Sequence, residues 1–139
     1  MTSSKPPRTL TQFLRRYDPG LKSVAYALRT LILDEIAPCH EHTFAQKNKV
    51  VMLFAASDHV IEDCICQIHV FVKYVELAFP RGVDLRDPGG VLQGGGKAFR
   101  YLKLTRKSDV ERPEIRTLLR EARANETGSV EAYAPGDAT

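Results

Sequence analysis

The residues best suited to chemistry begin at Gly94. Three glycines, Gly94 to Gly96, run into Lys97, and Arg100, Tyr101 and Lys103 follow. A glycine run before a lysine suggests a phosphate loop. Such a loop needs a glycine five positions before Gly96, a hydroxyl after Lys97 and a helix whose first amides face the phosphate. Here those two positions hold Val91 and Ala98, and the following residues alternate like a strand. The dinucleotide fingerprint fails as well, because its third glycine falls on Phe99. The run therefore reads as a flexible lead into a strand. In that strand Arg100 shares a face with Ala98, Leu102 and Leu104, so its guanidinium requires a partner: a carboxylate, carbonyls, an anion, or an escape at the sheet edge. The expected partner is Glu41, and a candidate anion site comprises Lys97, Arg100, Tyr101 and Glu41.

The second cluster is metal-like. Asp34, Glu35, His40 and His42, with Glu41 between the histidines, supply oxygen and nitrogen donors within a short span. Cys39 adjoins them, and Cys64 and Cys66 form a C-x-C pair. Thiolates that hold zinc usually come from loops with two or more intervening residues. Cys64 and Cys66 lie in a strand pattern on the side of Ile68, which reads as core packing. Ser57, Asp58 and His59 are adjacent but form no triad by spacing, and read as a solvated hairpin tip. Arg116, Arg120 and Arg123 recur at helical spacing among balancing acids and read as a solvated helix face rather than a nucleic-acid surface.

Helices and strands must position these groups. Thr9 opens a short helix holding Leu10, Phe13 and Leu14. Asp18-Pro19 supplies an N-cap and a first-turn proline, and Leu21, Val24, Leu28, Leu31, Ile32 and Ile36 recur at helical spacing until Pro38. Arg29, Asp34 and Glu35 fall largely off that stripe. Strands are expected in "NKVVMLFAA", "CICQIHVF", "KYVELAF" and "KAFRYLKL", with Val72-Lys73 at a tight turn. In the second of these, Cys64, Cys66, Ile68 and Val70 face one way and Gln67 and His69 the other. In the third, Val75, Leu77 and Phe79 oppose Tyr74 and Glu76. In the fourth, Lys97, Phe99, Tyr101 and Lys103 share a face. A turn at 108–112 precedes a helix from Pro113 to about Asn125. Residues 1–8 are expected to be an unstructured lead, 9–125 one domain and 126–139 a flexible tail. Helices, a run of strands, then a helix give an α+β fold: an antiparallel meander of four strands, with a fifth as an option, and helices packed on one face.

With 139 residues the chain is long enough for one self-supporting core. A net charge of +3 is too small to announce a nucleic-acid binder. No window approaches a membrane span of ~20 apolar residues. Three cysteines and a polar start, "MTSSKPPRTL", fit free thiols in a cytoplasmic protein.

Several stretches together resemble the YdhG-like family of domains of unknown function. They are Asp87-Pro88-Gly89, Gly94 to Lys97, Arg100, Leu102-Lys103-Leu104, the strand "VFVKYVELAF" and Glu41. The resemblance covers Leu10 to Arg123; many members carry His where this chain has Tyr101. It implies an α+β fold with an antiparallel sheet packed on helices. One branch is frataxin-like and linked to iron delivery, so iron is the cofactor the resemblance suggests. This chain departs from that branch in being net basic, without a long acidic helix face. The functional expectation is a non-catalytic module binding a small anionic ligand, a metal ion or a partner, as monomer or homodimer. The alternative is an enzyme acting on a small anionic substrate beside the glycine-rich loop and Arg100.

Overall fold

The structure, a computed structural model, describes residues 6–132 and, of these, the side chains of 6–126. Two helices come first, α1 (Arg8–Phe13) and α2 (Pro19–Ile36). Asp18 caps α2 as expected, its Oδ2 accepting from the backbone N–H of Gly20 at 2.9 Å. Five strands follow: β1 (His40–Ala45), β2 (Val50–Ala55), β3 (Cys64–Val70), β4 (Val75–Phe79) and β5 (Arg100–Leu104). They form one antiparallel sheet in the order β1-β2-β3-β4-β5. Short 3-10 turns lie at Gly82–Asp84 and Lys107–Glu111, and α3 (Pro113–Ala132) closes the fold.

The sheet thus has five strands, the extra one being β1. This edge strand has a mixed burial pattern, so its sequence "HEHTFA" carries no clean alternation. A tight turn joins it to β2, with Gln46 N–H donating to the Lys49 carbonyl at 2.8 Å. The β3–β4 turn falls at Val72-Lys73, closed by Phe71 N–H to the Tyr74 carbonyl at 2.9 Å.

Register separates the two faces. Val50, Met52 and Phe54 of β2, Ile65, Cys66, Ile68 and Val70 of β3, Val75, Leu77 and Phe79 of β4, and Leu102 and Leu104 of β5 enter the main core. The helices contribute Leu10, Leu14, Leu21, Val24, Leu28, Ile32, Ile36, Ile115, Leu118 and Leu119 to that same core. On the other face, here the outer face, Val51, Leu53 and Cys64 form a separate small cluster with Phe44 and Val60.

Four expectations are corrected. Cys64 and Cys66 do not share a face: the register slips between Phe54 and Ala55, which pair with Cys66 and Cys64, so β3 bulges at Ile65 and turns Cys64 outward. Arg29 does not fall off the α2 stripe; it is only 3% exposed. The last helix does not stop near Asn125 but continues through Ala132, so 126–132 are helix, while 133–139 lie outside the described residues. Arg8, expected in the lead, is instead the first residue of α1, and 1–5 lie outside the described residues.

Candidate functional site

On β3 the outer positions are Gln67 and His69, on β4 Glu76 and Ala78, and on β5 Tyr101 and Lys103. Antiparallel pairing places His69 opposite Glu76, Glu76 opposite Lys103, Gln67 opposite Ala78 and Ala78 opposite Tyr101. Cross-strand neighbours of this kind have Cβ atoms about 5 Å apart. The β1–β2 turn adds Lys49, and Phe99 enters from the end of the glycine-rich loop.

A one-way chain of hydrogen bonds runs across this surface. Lys49 Nζ lies 2.9 Å from His69 Nδ1, and His69 Nε2 lies 2.6 Å from Gln67 Oε1. An ammonium only donates, so Nδ1 accepts and the ring proton sits on Nε2, donated to Gln67. Gln67 Nε2 then donates to Cys64 Sγ at 3.7 Å, and Cys64 Sγ to the Cys66 carbonyl at 3.3 Å. His69 is therefore a neutral imidazole of fixed tautomer. Burial, helped by the Lys49 charge, pushes its pKa down from 6.5 to about 4. Aromatic rings enclose it: Phe71 stacks with centroids 6.3 Å apart, and Phe99 meets it edge-on at the same distance.

Glu76 is the unusual member. It is 9% exposed. Among the described residues none hydrogen-bonds to its carboxyl, yet no described buried side-chain oxygen is left fully enclosed without a partner, so its oxygens reach solvent. Burial raises its pKa, while the charges of Lys49 and Lys103 pull the other way. Both lysines lie over aromatic rings, Lys49 Nζ 5.3 Å from the Phe71 centroid and Lys103 Nζ 4.5 Å from that of Tyr74. Phe71 and Tyr74 stack with centroids 4.7 Å apart. The result is a carboxyl between two held ammonium groups, beside a neutral imidazole, with an aromatic border.

The residues expected to form the anion site are dispersed. Tyr101 belongs to the outer face. Lys97 is exposed on the glycine-rich loop. Arg100 has core-side parity, opposite Phe79, but does not pair with Glu41. It lies at the end of β5, where its guanidinium donates to the carbonyls of Gly96 and Phe99, each at 2.7 Å. Gly82 packs against its side chain, and a Cβ there would lie 2.9 Å from Arg100 Cγ. Glu41 instead receives a two-pronged bond from Arg29, Nε to Oε2 at 2.7 Å and Nη2 to Oε1 at 2.8 Å.

The metal-like cluster is also dispersed. Glu35 accepts from Arg120 Nε at 2.8 Å and from Arg116, whose guanidinium also reaches Asp34 at 3.1 Å. These arginines hold the Glu35 carboxyl below its ordinary range. His40 and His42 are exposed on the outer side of β1. No three His, Cys, Asp or Glu side chains among the described residues converge as metal ligands. Burial raises all three cysteine thiols, Cys66 most of all. No helix among the described residues is long and apolar enough to cross a membrane.

Concavities lie elsewhere. One of about 480 Å³ between α2 and α3 is lined by Leu31, Leu33, Asp34, Val110, Arg112 and Arg116. Of its two acids, Asp34 and Glu111, the first already pairs with Arg116. Sequence reasoning missed Lys49, His69, Glu76 and Lys103 as a group. Comparison with family models, with curated proteins and with solved structures finds no match to this chain.

Proposed function

We propose that this chain is a non-catalytic binding module of YdhG-like type that takes a small anionic ligand on the outer face of its sheet. One observation carries the reading: the nearly buried Glu76 carboxyl, without a hydrogen-bond partner among the described residues, stands between Lys49 and Lys103. Its oxygens reach solvent, so the place beside them is open to a ligand as well as to water. A ligand presenting an anionic oxygen would complete the set, with Lys103 as counter-charge and the rings of Phe99 and Tyr101 as a wall. The glycine-rich loop contributes by delivering Phe99 and Tyr101.

Calorimetry with a panel of small carboxylates, phosphates and sulfonates, alongside amide chemical shifts, tests this. Binding should perturb β3, β4 and β5 and be lost in Lys103→Ala. A panel that leaves those strands unperturbed refutes it. A catalytic reading is favoured by the same carboxyl, because a raised carboxyl pKa suits proton transfer. It differs in requiring turnover of an anionic substrate, abolished by Glu76→Gln while binding persists.

A further inference from the structure

The nature of the anion follows from which donors surround Glu76. Among the described residues, the charged or titratable groups that pairing and charge place around it are His69 from β3, Lys103 and Tyr101 from β5, Lys49 from the β1–β2 turn and Tyr74 just before its own strand. His69 holds its proton on Nε2 and gives it to Gln67, and its Nδ1 is occupied by Lys49. Arg100, the guanidinium on β5, spends its Nη1 on two loop carbonyls. The helices pack behind the sheet. The free donors at the Glu76 oxygens are thus the Lys103 ammonium, the N–H groups that Lys49 does not give to His69 and, when protonated, the Glu76 hydroxyl. A phosphoryl group is typically held by a guanidinium fork or a run of backbone amides, which two ammonium groups do not reproduce. Its second charge would also meet the Glu76 carboxylate. A carboxylate needs one donor for each of two oxygens, and the Glu76–Lys103 cross-strand pair offers one of each at sheet spacing. Phe99, 38% exposed and edge-on to His69, supplies apolar surface on the same face.

We infer that the Glu76–Lys103 pair receives the carboxylate of a small monocarboxylic acid with an apolar body, Glu76 donating its carboxyl proton in the hydrogen bond and Lys103 supplying the counter-charge. This rests on the outer face being the binding site. The carboxyl then acts as a pH-dependent donor. Above its own pKa it becomes a second anion, and affinity falls by up to about tenfold per pH unit. The raised pKa of Glu76 moves this window toward neutrality.

The test titrates the full chain with benzoate and with inorganic phosphate, by calorimetry and amide shifts, from about pH 5.5 to about pH 8, above the ordinary carboxyl range. Benzoate should perturb β3, β4 and β5 and weaken steadily as pH rises. Glu76→Gln keeps a donor of the same shape and should bind benzoate with no pH dependence over this range. Lys103→Ala and Lys103→Gln, both at an exposed position, should lose binding without loss of fold. Benzoate affinity that is flat with pH in the wild type, or unchanged in both Lys103 variants, overturns the inference. If phosphate binds these strands and benzoate does not, the face stands as a site and the carboxylate assignment falls. If neither probe perturbs them, both fall together.

Discussion

Removing the Glu41 carboxylate tests which arginine it serves. Arg29 is a helix residue with a side chain 4% exposed, and Glu41, on the edge strand, is 22% exposed. Both ends of the Arg29 fork used here are short, at 2.7 and 2.8 Å. Breaking a buried pair from one side costs about 3–5 kcal/mol, because a desolvated charge loses its counter-ion. The partial exposure of Glu41 places Glu41→Ala at the low end, about 3 kcal/mol. At ~3 °C per kcal/mol for a chain of this size, the melting temperature should fall by about 9 °C. Urea unfolding at neutral pH gives the same quantity independently. Arg29→Met should cost a similar amount. The double replacement Arg29→Met with Glu41→Leu should recover most of the loss, since an apolar pair of comparable volume needs no counter-charge. Arg100→Ala is the contrast: it removes bonds to two carbonyls at a half-exposed site, costs about 1 kcal/mol and adds independently to Glu41→Ala. A loss below about 1 kcal/mol in Glu41→Ala, or strong coupling between positions 41 and 100, would refute the assignment.

Two further outcomes follow from the same geometry. Gly82→Ala places a methyl against the Arg100 side chain and should destabilise by about 1–3 kcal/mol, read by urea midpoint; a neutral result would mean the 3-10 turn is not held against β5. His69 has a pKa lowered from 6.5 to about 4, so its neutral form contributes stability that is full above 6.5 and is lost as pH falls toward 4. Melting temperatures followed through this window should therefore drop less steeply in His69→Gln than in the wild type, and parallel curves would contradict a buried neutral imidazole.

The helix-to-sheet order, the Asp18 cap, the Val72-Lys73 turn and the inward residues of β4 and β5 were legible because each rests on local pattern. Arg100 was legible in part. Its parity is correct, and one of the partners open to it, carbonyls, is the one it takes. The Glu41 partner was misassigned because a charge on helix parity was discounted. Arg29 lies one residue from Leu28, and a hundred-degree step keeps it against the core side where the chain turns from α2 into β1. The Cys64–Cys66 pair misled for a different reason: a bulge changes facing by one residue, and nothing in "CICQIHV" marks where the partner strand slips.

The candidate site shows where local reading stops. Gln67 with His69, Tyr74 with Glu76, and Phe99 and Tyr101 with Lys103 were each recognisable as the second face of a strand. What turns three faces into one surface is register, and register depends on Val72-Lys73 closing a two-residue turn although neither residue favours one. Once that turn is granted, His69, Glu76 and Lys103 must stand in one row across β3, β4 and β5. Lys49 joins from a strand pair hidden by the weak edge pattern of β1. The polar residues of this row were ordinary in sequence because each is alone there. In the fold they satisfy one another from Lys49 through His69 and Gln67 to Cys64, and that mutual satisfaction is what singles out Glu76. This hydrogen-bond chain passes beside Glu76 and leaves its carboxyl facing out between two cations.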